Sequence, residues 1–225
     1  MLFNYAISSY TPTLSALLSP LSAPASFSGI LAVGQELTPN MPRLPGTVHE
    51  LARIRDKSKG FAITQLDNDQ ATPRAVLAGM ENHSWVHLAC HAMQNTTNPI
   101  KSAFYLHGGT LDLAAITQKQ LKHAELAFLS ACETATGDET LSEEAVYLAA
   151  GMMMAGYRTV IATMWSIGDE DAPLVAEKVY EHLLEGGTPD ARRAAAAVHK
   201  ATKHLRDKVG VKEFEKWVPY IHIGL

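Results

Sequence analysis

Apolar residues gather along this chain in short runs that alternate with longer amphipathic stretches. Ile30-Leu31-Ala32-Val33-Gly34, Phe61 to Leu66, Val86 to Ala89, Leu126 to Ser130 and Arg158 to Thr163 are compact and largely lack polar alternation. That is the pattern of strands buried on both faces. Helical patterns lie between them. Thr47 opens one with Val48, Leu51 and Ile54 on a single face, and Thr72-Pro73 supplies a cap and a first-turn proline to another with Val76, Leu77 and Met80 inward. Residues 171–185 form an amphipathic helix closed by Gly186-Gly187, and Thr188-Pro189 starts a further long helix. Thr140-Leu141-Ser142-Glu143 fits a capping box that opens a helix reaching Ala155, with Gly156 ending it. His107-Gly108-Gly109 between two short apolar runs is a hairpin signal, Phe3 to Ser9 alternates like a strand, and Tyr220 to Gly224 reads as a final strand.

Strands that alternate with helices imply a three-layer α/β domain with a mostly parallel central sheet. No repeat and no clear linker divides residues 1–225, so one domain is expected. Residues 11–28 are rich in Ser, Pro and Ala and read as a turn of helix followed by a loop. Met152-Met153-Met154 are expected in the core.

Composition narrows the function classes. The 225 residues are 47% hydrophobic and 19% charged, with a net charge of −4, which offers no basic footprint for nucleic acid. No apolar run approaches the length of a membrane span. The first residues lack the positive region of a secretory signal. Two cysteines, Cys90 and Cys132, make no disulfide framework, so an intracellular, reducing compartment is expected.

The chemistry sits at two strand exits. Ser84-Trp85-Val86-His87-Leu88-Ala89-Cys90-His91-Ala92 ends on an imidazole, and Ala127-Phe128-Leu129-Ser130-Ala131-Cys132-Glu133-Thr134 ends on a thiol. Ligands of a doubly wound sheet bind at the carboxyl ends of its strands. If these two strands are neighbours, His91 and Cys132 meet there, and an imidazole beside a thiol makes a nucleophilic thiolate. His87 lies deeper on the same face as His91 and reads as a core histidine with one hydrogen bond. Cys90 falls on the opposite face, which disfavours a zinc site built from His87, Cys90 and His91. Asp169-Glu170-Asp171 follows Met164-Trp165-Ser166 at another strand exit. It suits a helix N-terminus, and equally a carboxylate that reads a cationic substrate side chain.

His87-Leu88-Ala89-Cys90-His91, Leu129-Ser130-Ala131-Cys132-Glu133-Thr134, and Val160-Ile161-Ala162-Thr163-Met164-Trp165 followed by Asp169 together resemble the CHAT domain. This is a caspase-like cysteine peptidase domain of the clan that also holds separases. Tyr5 to Leu14 and Trp217 to Gly224 extend the likeness to nearly the whole chain. The resemblance implies a three-layer caspase-like α/β/α fold and a Cys-His dyad, with Cys132 as nucleophile and His91 as general base. Backbone N–H groups of Ala92, where the family usually has glycine, and of Cys132 would hold the oxyanion. By analogy with separases, Asp169, with Asp171 second, would bind a basic side chain beside the cleaved bond. No cofactor or metal is implied. The expected partners are a protein or peptide substrate and regulatory domains or proteins, with the chain either a C-terminal fragment of a larger protein or a trimmed family member. The expected function is an intracellular endopeptidase working through a thioester acyl-enzyme. The alternatives are a catalytically inactive caspase-like scaffold and, more weakly, a small-molecule-binding α/β domain.

Overall fold

The computed structural model describes residues 2–11, 26–95, 97–119, 121–133 and 145–224, with the backbone alone described at residues 2, 131–133, 145 and 146. A sheet runs through the middle of the molecule in the order β2-β1-β3-β6-β7-β8. Its strands are β1 (Ile30–Gly34), β2 (Ile63–Asp67), β3 (Trp85–Met93), β6 (Leu126–Glu133), β7 (Thr159–Thr163) and β8 (Tyr220–Gly224). The first five are parallel, and β8 closes one edge antiparallel to β7. A hairpin of β4 (Ala103–Leu106) and β5 (Gly109–Asp112) attaches antiparallel to the last residues of β3.

Because the parallel strands are covered on both sides, their side chains feed two cores. On one face Leu31, Val33, Val86, Leu88, Cys90 and Leu129 meet helices α2 (Pro73–Asn82), α3 (Leu113–Thr117) and α4 (Ala145–Met154). On the other, Ile30, Trp85, Leu126, Phe128 and Ile161 meet α1 (Gly46–Lys57), α5 (Ala172–Leu183) and α6 (Ala194–Val209). A short helix, α7 (Phe214–Trp217), leads into β8. The layers are close-packed: a Cβ on Gly79 of α2 would lie 2.8 Å from the Leu31 methyls of β1. Only a glycine lets the helix approach the sheet that nearly.

The α/β class and the parallel-dominated sheet match the reading of the sequence, and several boundaries differ. The strand expected at 3–9 is a 3-10 turn at Leu2–Asn4 plus a single bridge from Tyr10 to Ile223. Val48 of α1 is exposed while Glu50 is buried. Met152 is in the core, but Met154 is 74% exposed. The proposed capping box at 140–143, and most of the 11–28 segment, lie outside the described residues. The strand β3 runs to Met93 and β6 to Glu133, past the ends of their apolar runs at Ala89 and Ser130, so His91 and Cys132 lie within strand ends and not beyond them.

Candidate active site

β3 and β6 are adjacent and parallel, and their register pairs His91 with Cys132 directly. Matched positions on neighbouring parallel strands have α-carbons about 4.8 Å apart and belong to one face of the sheet. Trp85-Leu126 and His87-Phe128 precede them in the same register, and these four residues belong to the core under α1, α5 and α6 or contact it. Cys90 belongs to the other core.

His91 is 2% exposed. Its Nε2 lies 2.8 Å from the carbonyl oxygen of Pro42. A carbonyl only accepts, so Nε2 carries the proton and Nδ1 is the basic nitrogen of the neutral ring. Nδ1 is buried with no hydrogen-bond partner among the described residues. A backbone carbonyl here does what a carboxylate does in the Ser-His-Asp arrangement: it fixes ring orientation and tautomer.

Pro42 belongs to the connection from β1 to α1. Leu44 N–H donates to the Glu36 carbonyl across 3.0 Å, which closes this loop on itself. Asn68 Oδ1 accepts from the N–H groups of Glu36 and Leu37, and Gln35 N–H donates to the Ala89 carbonyl of β3. At the other stem, α1 starts after Pro45, which has no side-chain acceptor for the first helical N–H groups, and the first turn carries no acid. Asp169 supplies the missing cap from 123 residues away: its Oδ2 accepts from Gly46 N–H at 2.6 Å. Such a cap is worth about 0.5–2 kcal/mol. The sequence reading gives this acid two roles, at a helix N-terminus or as a carboxylate for a cationic side chain; the helix whose first N–H it binds is α1.

Asp171 is buried, and its Oδ2 has no hydrogen-bond partner among the described residues. Burial pushes its carboxyl above the usual carboxylate range, against the pull of Lys216. Ala92 is also buried and lies within the ladder, matched to Phe104 of β4 on one side and Glu133 of β6 on the other.

Four residues before His91 on the same face, His87 Nε2–H donates to Glu50 Oε1 at 3.0 Å, both side chains being almost completely buried. His87 is therefore the singly bonded core histidine its position implied. Glu50 was missed. Its signal is an acid at the i+3 position of the Thr47, Glu50, Leu51, Ile54 stripe, where a helix face demands burial. Pro42 and Gly46 act through backbone atoms, for which a residue type gives no cue.

The whole of residues 1–225 matches one protein family. The chain belongs to the CHAT domain family. This CHAT domain is similar in fold to the complex of Porphyromonas gingivalis RgpB pro- and mature domains, at 13% identity and a TM-score of 0.58, over 88% of this chain and 47% of that one. It is likewise similar to the Arg specific cysteine proteinase gingipain R, at 12% identity and a TM-score of 0.56, over 88% of this chain and 46% of that one. The CHAT domain thus spans less than half the length of either structure, and at these identities the likeness is one of fold: a caspase-like α/β architecture. No curated protein matches the sequence.

Proposed function

We propose that this CHAT domain is a cysteine endopeptidase in which Cys132 is the nucleophile and His91 the base. The observation that carries the proposal is the pairing of the two positions in register, with the Nε2 proton of His91 committed to Pro42. Nδ1 then takes the proton from the Cys132 thiol, and the thiolate attacks the scissile carbonyl. The oxyanion of the tetrahedral intermediate is held by the backbone N–H groups of Cys132 and Ala92. His91 returns the proton to the leaving amine, which departs and leaves a thioester. Water, deprotonated by His91, hydrolyses the thioester and releases the acid product and the thiol. The substrate is a protein or peptide, met inside the cell, where both cysteines stay reduced. A preference for a basic residue beside the cleaved bond is the finest part of the reading. It falls to Asp169 or to Asp171, whose buried carboxyl an incoming cation would stabilise.

Labelling by a peptide carrying an acyloxymethyl ketone tests this. Expected is one adduct at Cys132, lost in Cys132→Ala, reduced in His91→Ala and retained in Cys90→Ala. An adduct that survives Cys132→Ala refutes the assignment. A second reading, a caspase-like scaffold without catalysis, is favoured by one observation: His91 is 2% exposed beneath the loop that carries Pro42. Absence of labelling across peptides of different charge, with Cys132 still open to small alkylating agents, supports the scaffold.

A further inference from the structure

We propose that Asp169 is a positioning residue for His91, acting through the start of α1 and the loop before it. The inference rests on the reading of His91 as the base for Cys132. Three contacts carry it. Asp169 Oδ2 accepts from Gly46 N–H at 2.6 Å, in place of the cap that Pro45 cannot provide. A Cβ on Gly46 would stand 2.0 Å from the Asp169 carbonyl oxygen and 2.6 Å from Oδ1, so the absence of a side chain at Gly46 is what admits the whole Asp169 residue. Four residues upstream, the Pro42 carbonyl accepts from His91 Nε2 at 2.8 Å.

The loop between these contacts transmits position well. Leu44 N–H to the Glu36 carbonyl at 3.0 Å joins its two stems, and Thr47 Oγ1–H to the Leu44 carbonyl at 2.8 Å ties its C-terminal half to the first turn of α1. Its N-terminal stem is held by Asn68 and by Ala89 of β3, and Glu36 in that stem also accepts from the Arg43 guanidinium. Asp169 pins the other stem, the one nearer Pro42. Losing it lets the Pro42 carbonyl drift from Nε2, and the ring then loses its fixed orientation and tautomer. Among the described residues on the same face, His87 and Glu50 are bonded to each other, and none of the variants below replaces either.

This role differs from recognition of a basic substrate in what it asks of Asp169. Recognition needs the negative charge; the tether needs only an acceptor atom. Asparagine separates them. The experiment measures alkylation of Cys132 by iodoacetamide, an uncharged reagent with no side chain to be read, in the full chain from pH 5.5 to 9, with the adduct mapped by mass spectrometry. Asp169→Ala is expected to slow alkylation at neutral pH about tenfold, a share of what a well-placed base contributes. Asp169→Asn is expected to stay within about twofold of wild type, since its amide oxygen still accepts. His91→Ala is slower than either, and adding Asp169→Ala to it changes nothing further, because the two act on one path.

An Asp169→Ala rate equal to wild type, with His91→Ala slow, overturns the tether and leaves the dyad standing. An equal extra loss in the His91→Ala background also overturns it. His91→Ala matching wild type removes the base reading instead. Should Asp169→Ala fail to fold by circular dichroism, Asp169→Asn decides: a profile fallen to that of His91→Ala overturns the proposal.

Discussion

Acid should destabilise this domain through His222, and the effect is large enough to isolate. His222 lies in β8, paired with Ile161 of β7, and faces a cavity of about 330 Å³ lined also by Trp217 and Tyr220. Its Nδ1 is 2.8 Å from Ser9 Oγ, and Nε2 is buried with no hydrogen-bond partner among the described residues. Burial lowers its pKa from 6.5 to about 4. The unfolded chain therefore binds a proton near pH 6.5 that the folded chain refuses until about pH 4. Stability is complete above 6.5 and falls as pH drops through that window. Linkage gives a loss of about 2 kcal/mol by pH 5 and about 3 kcal/mol by pH 4, relative to neutral pH. His199 lines the same cavity and is also lowered by burial, so its smaller contribution has the same sign. Asp171, raised by burial, works the other way. The difference between wild type and His222→Gln cancels both. Urea unfolding of the two proteins at half-unit steps from pH 7.5 to 4 should show the wild-type stability falling toward the variant's. Parallel curves across that range would refute the argument that His222 is held neutral by its surroundings.

Three further outcomes follow from the same contacts. Asp171→Asn should raise the melting temperature at pH 7, where the buried carboxyl is ionised, and the gain should vanish as acid protonates the wild-type group. A lower melting temperature would show that the carboxylate is paired. Glu50→Ala should cost about 1–3 kcal/mol in urea unfolding, because it leaves the buried His87 Nε2–H without its acceptor; a cost below about 0.5 kcal/mol would show that the bond is dispensable. Gly46→Ala should both lower the melting temperature and slow alkylation of Cys132, since its Cβ must displace Asp169. A normal alkylation rate in a folded Gly46→Ala protein would count against the coupling of α1 to the site.

The layered fold was legible because its strands are buried on both faces and therefore appear as bare apolar runs, as in Ile30–Gly34 and Thr159–Thr163. The ends of β3 and β6 were less so. His91 breaks the apolar pattern, yet the strand continues through it because β6 pairs with residues 90–92 and β4 with Ala92 and Met93. A pairing between residues 92 and 104 leaves no periodic trace. α1 was placed correctly, but one of its faces was not: a sequence pattern counts Val48 as core and Glu50 as surface, while His87 reverses the second of these by offering Glu50 a buried partner.

The site itself divides along the same line. Its two proposed reactive residues stand out by type, and their positions pair in the parallel register of β3 and β6. What governs the protonation of His91 is a main-chain oxygen at Pro42, placed by a loop whose two stems are anchored to β3, to Asn68 and to Asp169. Any residue could supply that carbonyl, so its position is set by the anchors. The anchors are therefore the chemically selective part of the loop: an amide acceptor at Asn68, a carboxylate at Asp169 and a missing Cβ at Gly46. A rigid sheet can hold an imidazole beside a thiol, but it leaves open which imidazole nitrogen bears the proton. In this CHAT domain that choice belongs to the loop, and a change at Asp169 or Gly46 should reach Cys132 without touching it.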